Sequence, residues 1–189
     1  MGLRSAIGQE RTLLNDKACH VMSRKTQTVS VICLGIIVVL YAMYVSWRND
    51  WYRQKMPPEV GIGDVVLIDG KSGFREGCGV AIFELTPSSS AQLQAVGIRA
   101  LNAGDAMSPY RPSKDKYSIW HETPYVETGD GLTLEDRWVV GLSCAQMSRE
   151  LSATIARAMA QPGSFYTKLY EAAVLVIPAA GIAAFVYYG

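Results

Sequence analysis

A stretch of nineteen residues without a charge, from residue 29 to residue 47, constrains this chain more than any other feature. As an α-helix it would span roughly 28 Å at about 1.5 Å per residue, close to the thickness of the hydrocarbon core of a bilayer. The globular remainder, about 120 residues, is too small to enclose an apolar helix of that length. We therefore predict a transmembrane helix over residues 29–47.

A second uncharged stretch, eighteen residues long, runs from residue 172 to residue 189. It contains Pro178 and Gly181, and both residue types are commoner in membrane helices than in soluble ones. We predict a second transmembrane helix over residues 169–189. A tail that only enters the membrane interface is the alternative, because the stretch is short and reaches the last residue.

Aromatic residues gather near the ends of both stretches, where amphipathic rings favour the headgroup layer. They predict a set of membrane-interface side chains, namely Trp47, Trp51, Tyr52, Tyr166 and Tyr170.

Small residues in the two stretches indicate where another helix could approach closely. Ala180 and Ala184 have the small-xxx-small spacing, Gly181 lies between them, and Gly35 is the comparable position in the first stretch. We expect these residues to pack against helices of other membrane subunits or of a second copy of the chain. Neither stretch has an ionisable residue in its interior, which argues against transport or proton conduction.

The cysteines indicate the compartment. Cys19 precedes the first stretch and Cys33 lies inside it, which leaves Cys78 and Cys144 as a pair in the intervening region. A disulfide between them would close a loop of about 66 residues, worth roughly 4 kcal/mol in the loop-entropy model. Such a bond persists in an oxidising compartment such as the periplasm.

The orientation follows from the same disulfide and, more narrowly, from the basic residues that flank the first stretch. Within about 20 residues of the stretch, four basic residues precede it and three follow it, and the α-amine adds to the preceding side. The richer side tends to stay in the cytoplasm. We predict a bacterial inner-membrane protein with an uncleaved signal-anchor, a cytoplasmic tail over residues 1–28, a periplasmic domain over residues 48–168 and a cytoplasmic C-terminus.

The intervening region has the pattern of a small α+β domain with its elements in the order ββα–ββα. Strands are expected at residues 65–68, 78–85, 117–121 and 137–142. Thr86 and Pro87 predict the start of the first helix, and the second is expected from Ser143, which could cap it.

The segment around Ser143 also resembles part of a hydrolase nucleophile turn, since Gly141-Leu142-Ser143 matches the first three positions of G-x-S-x-G. Ala145 replaces the final glycine, however, and His121, the only histidine of the region, precedes the serine instead of following it. A cysteine nucleophile, Cys78 or Cys144 with His121 as base, would compete with the disulfide. We expect no catalytic residue, with a membrane-anchored Cys/His or Ser hydrolase as the alternative.

Composition argues against several kinds of ligand. Eighteen basic residues against seventeen acidic ones do not favour nucleic acid. Two histidines in the whole chain do not supply a metal site, and the acidic residues of 127–136 lack the ligand order of a calcium loop. Gly70-Lys71-Ser72 lacks the rest of a phosphate-binding loop. We expect neither metal nor cofactor.

These expectations together favour a non-enzymatic integral membrane protein that works through contacts with the bilayer and with other membrane subunits. It would be an accessory or assembly subunit of a bacterial inner-membrane complex. A mobile-element protein for exclusion, immunity or lysis control is the alternative, and homo-oligomerisation is compatible with either.

Overall fold

A computed structural model describes residues 3–72, 77–102, 117–124, 140–169 and 171–189, with side chains from residue 26 onward. The chain divides into two compact units, Met1–Arg48 and Asn49–Gly189.

Helix α1 runs from Leu3 to Arg53. Its residues up to Arg48 belong to the first unit, and those from Asn49 onward belong to the second. Within the described residues, one helical segment, Thr26–Arg53, is long and apolar enough to cross a membrane. Its large apolar side chains are exposed, with Val31 at 70% and Leu40 at 60%. The prediction of a long apolar helix at residues 29–47 is confirmed.

The second unit is built on a six-stranded antiparallel sheet with the strand order β1-β2-β6-β5-β4-β3. Its strands are β1 Ile62–Ser72, β2 Gly77–Leu85, β3 His121–Glu122, β4 Phe165–Leu169, β5 Ala172–Ile177 and β6 Ile182–Tyr188. The central strands β5 and β6 are joined by a four-residue turn, in which the N–H of Gly181 donates to the carbonyl of Pro178 over 3.2 Å.

Among the described residues, helices α2, Pro87–Val96, and α3, Arg149–Ala160, accompany the sheet. The predicted start of α2 is confirmed, because Thr86 is the N-cap and its hydroxyl accepts a hydrogen bond from the N–H of Ser89. Short 3-10 helices lie at Pro58–Val60 and Gly97–Ala100, and residues 140–143 form a helical turn.

Both faces of the sheet are covered, because alternate residues of each strand point to opposite sides. On the front face, Phe83, Val174 and Phe185 pack against the segment after α1 and against α2. On the back face, Ile82 and Leu175 pack against residues 142–159, including Ile155 of α3. Strands buried on both faces consist almost entirely of apolar residues.

The predicted second transmembrane helix is wrong, because residues 172–189 form β5, the turn and β6 in the middle of the sheet. Val174 and Leu175 are fully buried within the protein. A strand covered on both faces has the same uncharged composition as a membrane helix, and Pro178 and Gly181 mark the turn between two such strands.

The predicted order ββα–ββα is right for its first half only. After β1, β2 and α2 the order is β3, α3, β4, β5 and β6. Of the predicted strand at 137–142, the described residues 140–142 are helical, and of the one at 117–121 only His121 lies in a strand. The strand expected at residues 65–68 is longer than predicted, since β1 runs from Ile62 to Ser72 and includes Asp69 and Gly70.

The second unit also extends further than the domain predicted at residues 48–168. It includes β5 and β6 and ends at Gly189, whose N–H donates to the carbonyl of Gly77 over 2.9 Å. Gly189 therefore belongs to the sheet domain.

Candidate binding groove

The predicted disulfide is present between Cys78 and Cys144, with their Cα atoms 5.8 Å apart. Cys78 is in β2, and Cys144 follows the helical turn of residues 140–143 on the back face. The bond therefore links the layer that covers the back face to the sheet itself.

Gly141 explains how this layer comes close enough for the bond to form. A Cβ atom at residue 141 would overlap the Val186 side chain and lie 3.1 Å from the carbonyl oxygen of Tyr187. The first glycine of the hydrolase-like sequence therefore allows close contact between the helical turn and β6.

The candidate hydrolase residues are not brought together. Both thiols are consumed by the disulfide, and the Ser143 hydroxyl donates to the carbonyl of Val140 over 2.9 Å. His121 is in β3, where its ring stacks on that of Tyr166. Strand β3 is four strand positions from β2, a separation of about 19 Å at the usual strand spacing. Because Ser143 adjoins Cys144, which is bonded to β2, it is out of reach of His121.

Ser143 is not the cap of the following helix either. Helix α3 begins at Arg149 and its N-cap is Ser148, whose hydroxyl accepts a hydrogen bond from the N–H of Leu151 over 3.2 Å.

The predicted membrane-interface residues divide between exposed and buried positions. Trp47 is 63% exposed. Tyr52 instead packs on the front face, with its hydroxyl 2.7 Å from that of Tyr187, and the Trp51 ring meets it edge-on. Tyr166 is buried on the back face, so its assignment to the membrane interface is wrong. Tyr170 lies outside the described residues.

The small residues predicted to pack membrane helices have other roles where they follow residue 171. Ala180 and Gly181 belong to the β5–β6 turn, and Gly181 has a φ of +64°, a value that favours glycine. Ala184 is fully buried in β6, paired with Ile82 and Leu175. Gly35 lies in α1 with no atom within 4 Å of a Cβ built there.

A groove opens at the edge of the front face, where the C-terminal half of α2 meets the β5–β6 turn and the start of β4. Its volume is about 320 Å³, at the lower end of the range typical of ligand sites. It is lined by Leu93, Gln94, Gly97, Glu122, Gly163, Phe165, Pro178 and Ala179.

One wall of the groove is held by hydrogen bonds between α2 and the β5–β6 turn. The Gln94 amide nitrogen donates to the carbonyl of Pro178 over 3.1 Å, and the Ser90 hydroxyl donates to the same oxygen over 3.3 Å. Gly97 ends α2 with a φ of +67°, a conformation that β-carbon-bearing residues rarely adopt. The helix end and the turn therefore form one defined surface.

The opposite wall is held by a buried pair of hydroxyl residues. The Thr123 hydroxyl donates to the carbonyl of Gln161 over 2.6 Å, and the N–H of Ser164 donates to that hydroxyl oxygen over 3.2 Å. These bonds fix the loop before β4 against the end of β3. Beside them, the N–H of Gly163 donates to Oε1 of Glu122 over 3.1 Å.

The groove is apolar with hydrogen-bond acceptors at its rim. Phe165 and Leu93 are buried apolar residues that line it. Glu122 is exposed, and within the described chain its side chain accepts a hydrogen bond only at Oε1. The side chain of Gln94 takes part in hydrogen bonds there only through its amide nitrogen. Glu122 Oε2 and Gln94 Oε1 remain as acceptors, and Glu122 is the one charged lining residue of this groove.

Sequence reasoning did not identify this groove. Its residues come from α2, β3, β4 with the loop before it, and the β5–β6 turn, and the whole of that turn lies in the segment predicted as a membrane helix. The available signal was the sequence Pro178-Ala179-Ala180-Gly181 between two β-branched runs, which is typical of a turn. No family model, functionally characterised protein or solved structure matches this chain.

Proposed function

We propose that this protein is a single-span membrane protein whose sheet domain binds other subunits of a bacterial inner-membrane complex without catalysing a reaction. In this proposal residues 1–28 are cytoplasmic, α1 crosses the bilayer, and Asn49–Gly189 forms a periplasmic domain. The protein acts as an accessory or assembly subunit.

The observation that carries this proposal is the connection, in one chain, of an exposed apolar helix to a disulfide-bonded domain. Large apolar side chains such as Ile37, 61% exposed, and Leu40 are costly to leave in water and stable in a bilayer. The Cys78–Cys144 bond favours the oxidising side of that membrane for the domain.

Because residues 172–189 form strands and not a second membrane helix, the expected position of Gly189 changes. The N–H of Gly189 donates to the carbonyl of Gly77 in β2, and β6 is a central strand, so Gly189 belongs with the domain. With a single span, the proposal places Gly189 in the periplasm instead of in the cytoplasm.

Two observations support the proposed binding role: the candidate nucleophiles make other contacts, and the domain has an apolar groove. Both cysteines of the domain are engaged in the disulfide, Ser143 is far from His121, and the front face presents a preformed apolar groove with polar rim groups. A site of this kind suits recognition of a side chain from another protein.

A pair of C-terminal fusions tests the topology. Alkaline phosphatase, which is active only after export, should be active when joined to Gly189 through a flexible linker, whereas green fluorescent protein at the same position should stay dark. The reciprocal result, an inactive phosphatase and a fluorescent fusion, would refute the single-span orientation.

The proposed role as a subunit is tested by purification of the full chain from its native membrane in a mild detergent. We expect one or more membrane proteins to co-purify in fixed stoichiometry and to cross-link to the sheet domain. A chain that purifies alone, with no cross-linked neighbour in native membranes, would contradict the proposal.

A further inference from the structure

We propose that the groove beside α2 binds a segment of a partner polypeptide that presents an arginine or lysine next to an apolar side chain. This inference rests on the proposed function, since it names the chemistry of the partner that a binding subunit would recognise. All the residues that line the groove belong to the sheet domain.

Charge complementarity gives the first argument. Glu122 is exposed, and the structure assigns it no salt bridge within the described part of the chain. Its Oε1 is held by the N–H of Gly163, so the carboxylate has a fixed position although it lies at the surface. A fixed carboxylate at the rim of an apolar site favours a cationic group.

The hydrogen-bond inventory gives the second argument. The lining N–H groups of Gly97 and Gly163 are already used, by Leu93 and by Glu122 respectively. The carbonyl of Pro178 already accepts from Gln94, Ser90 and Gly181. Among the lining side chains, the polar atoms left for a ligand are Glu122 Oε2 and Gln94 Oε1. Both are acceptors, so they favour a ligand that supplies donors. A guanidinium or ammonium group supplies donors only.

The shape of the groove gives the third argument. Phe165, Leu93 and Pro178 provide an apolar surface beside the two acceptors. A volume of about 320 Å³ accommodates one or two side chains, and the groove is open to the surface, where a polypeptide backbone could pass. The stem of an arginine and a neighbouring leucine would match the apolar wall while the charged head reaches Glu122.

The experiment uses the full chain in detergent micelles and a fluorescent, end-blocked pentapeptide, Ala-Leu-Arg-Leu-Ala. Matched peptides carry citrulline, which has the same shape without the charge, or glutamate in place of the arginine. Fluorescence anisotropy should show that the arginine peptide binds at least tenfold more tightly than either. Equal binding of the arginine and citrulline peptides, or no binding of any peptide, would overturn the proposal.

Two pairs of variants locate the binding to the groove. Glu122→Gln should weaken binding of the arginine peptide roughly tenfold, the loss expected for one charge-assisted hydrogen bond that the bound peptide shields from water. Glu150→Gln, an exposed carboxylate on α3, should leave it unchanged. Ala179→Trp should fill the groove and abolish binding, whereas Ala180→Trp, on the same exposed turn but outside the lining, should not.

The outcome separates this inference from the proposed function. A partner that co-purifies equally with the native chain and with Glu122→Gln and Ala179→Trp would keep the subunit role and refute the groove as its site. Peptide binding that responds to both variants, in a chain that never co-purifies with another protein, would support the groove and refute the subunit role.

Discussion

Gly141 lies so close to Val186 that residue 141 has no room for a β-carbon. This contact joins the helical turn of residues 140–143 to the central strand β6 and places Cys144 within reach of Cys78. A sequence that resembles a nucleophile turn is therefore a packing contact that leads into a disulfide.

We expect Gly141→Ala to lower the free energy of unfolding of the domain by about 1–3 kcal/mol, as for overpacking in other cores. The double variant Gly141→Ala/Val186→Ala should be less destabilised than the sum of the two single variants, because it removes the atom that the new methyl group would overlap. Urea unfolding of the full chain in detergent, followed by intrinsic fluorescence, measures all three. Strict additivity would show that the contact is not as close as described.

Removal of the disulfide by Cys78→Ala/Cys144→Ala should destabilise the domain by up to about 4 kcal/mol, because the unfolded chain regains the freedom that the closed loop withholds. Alkylation of the native protein before reduction should modify neither residue, whereas alkylation after reduction should modify both. Mass spectrometry of the peptides that contain residues 78 and 144 gives the answer. Recovery of both as free thiols from native membranes would argue against an oxidising compartment.

Ser148 caps α3 in the structure, whereas the sequence alone offered Ser143 as the cap. Ser148→Ala should cost about 1 kcal/mol in the free energy of unfolding, because the N–H of Leu151 loses its acceptor. Ser143→Ala should cost less than about 0.5 kcal/mol, since its exposed hydroxyl only donates to Val140 in the preceding turn. Paired urea titrations of the two variants test this difference, and the reverse ranking would place the helix start at Ser143.

Two leucines provide a matched test of which apolar segment forms the core of the domain. Leu175 is fully buried in β5, and Leu40 is 60% exposed in α1. Leu175→Ala should lower the free energy of unfolding by about 2–5 kcal/mol through the cavity it leaves, whereas Leu40→Ala should leave domain unfolding unchanged.

The same urea titration measures both leucine variants. Equal, small effects would be expected if residues 172–189 were a lipid-exposed helix, and they would contradict the central position of β5 in the sheet.

Several features followed from local sequence because their physical causes are local. An uncharged run of nineteen residues is long for a strand and matches a helix, and α1 is helical there. Thr86 followed by Pro87 is sufficient to start α2, since a hydroxyl cap and a fixed φ act within one turn. The pairing of Cys78 with Cys144 followed from elimination among four cysteines.

The groove could not be predicted in the same way, because it depends on contacts between distant residues. Gln94 and Pro178 are 84 positions apart, and Glu122 and Gly163 are 41 positions apart. Each hydrogen bond requires a strand order that the hydrophobic pattern leaves open, since the same alternation is compatible with several pairings.

The sequence by itself determined the apolar helix, the composition of the strands and the disulfide partners, because charge, periodicity and cysteine number act along the chain. Only the tertiary structure decided that residues 172–189 are two central strands. An uncharged segment is stable wherever water is excluded, and the interior of a sheet covered on both faces meets that condition as a bilayer does. The strand structure depends on neighbouring strands in the sheet, because β2 pairs with the backbone of β6 and β4 pairs with that of β5.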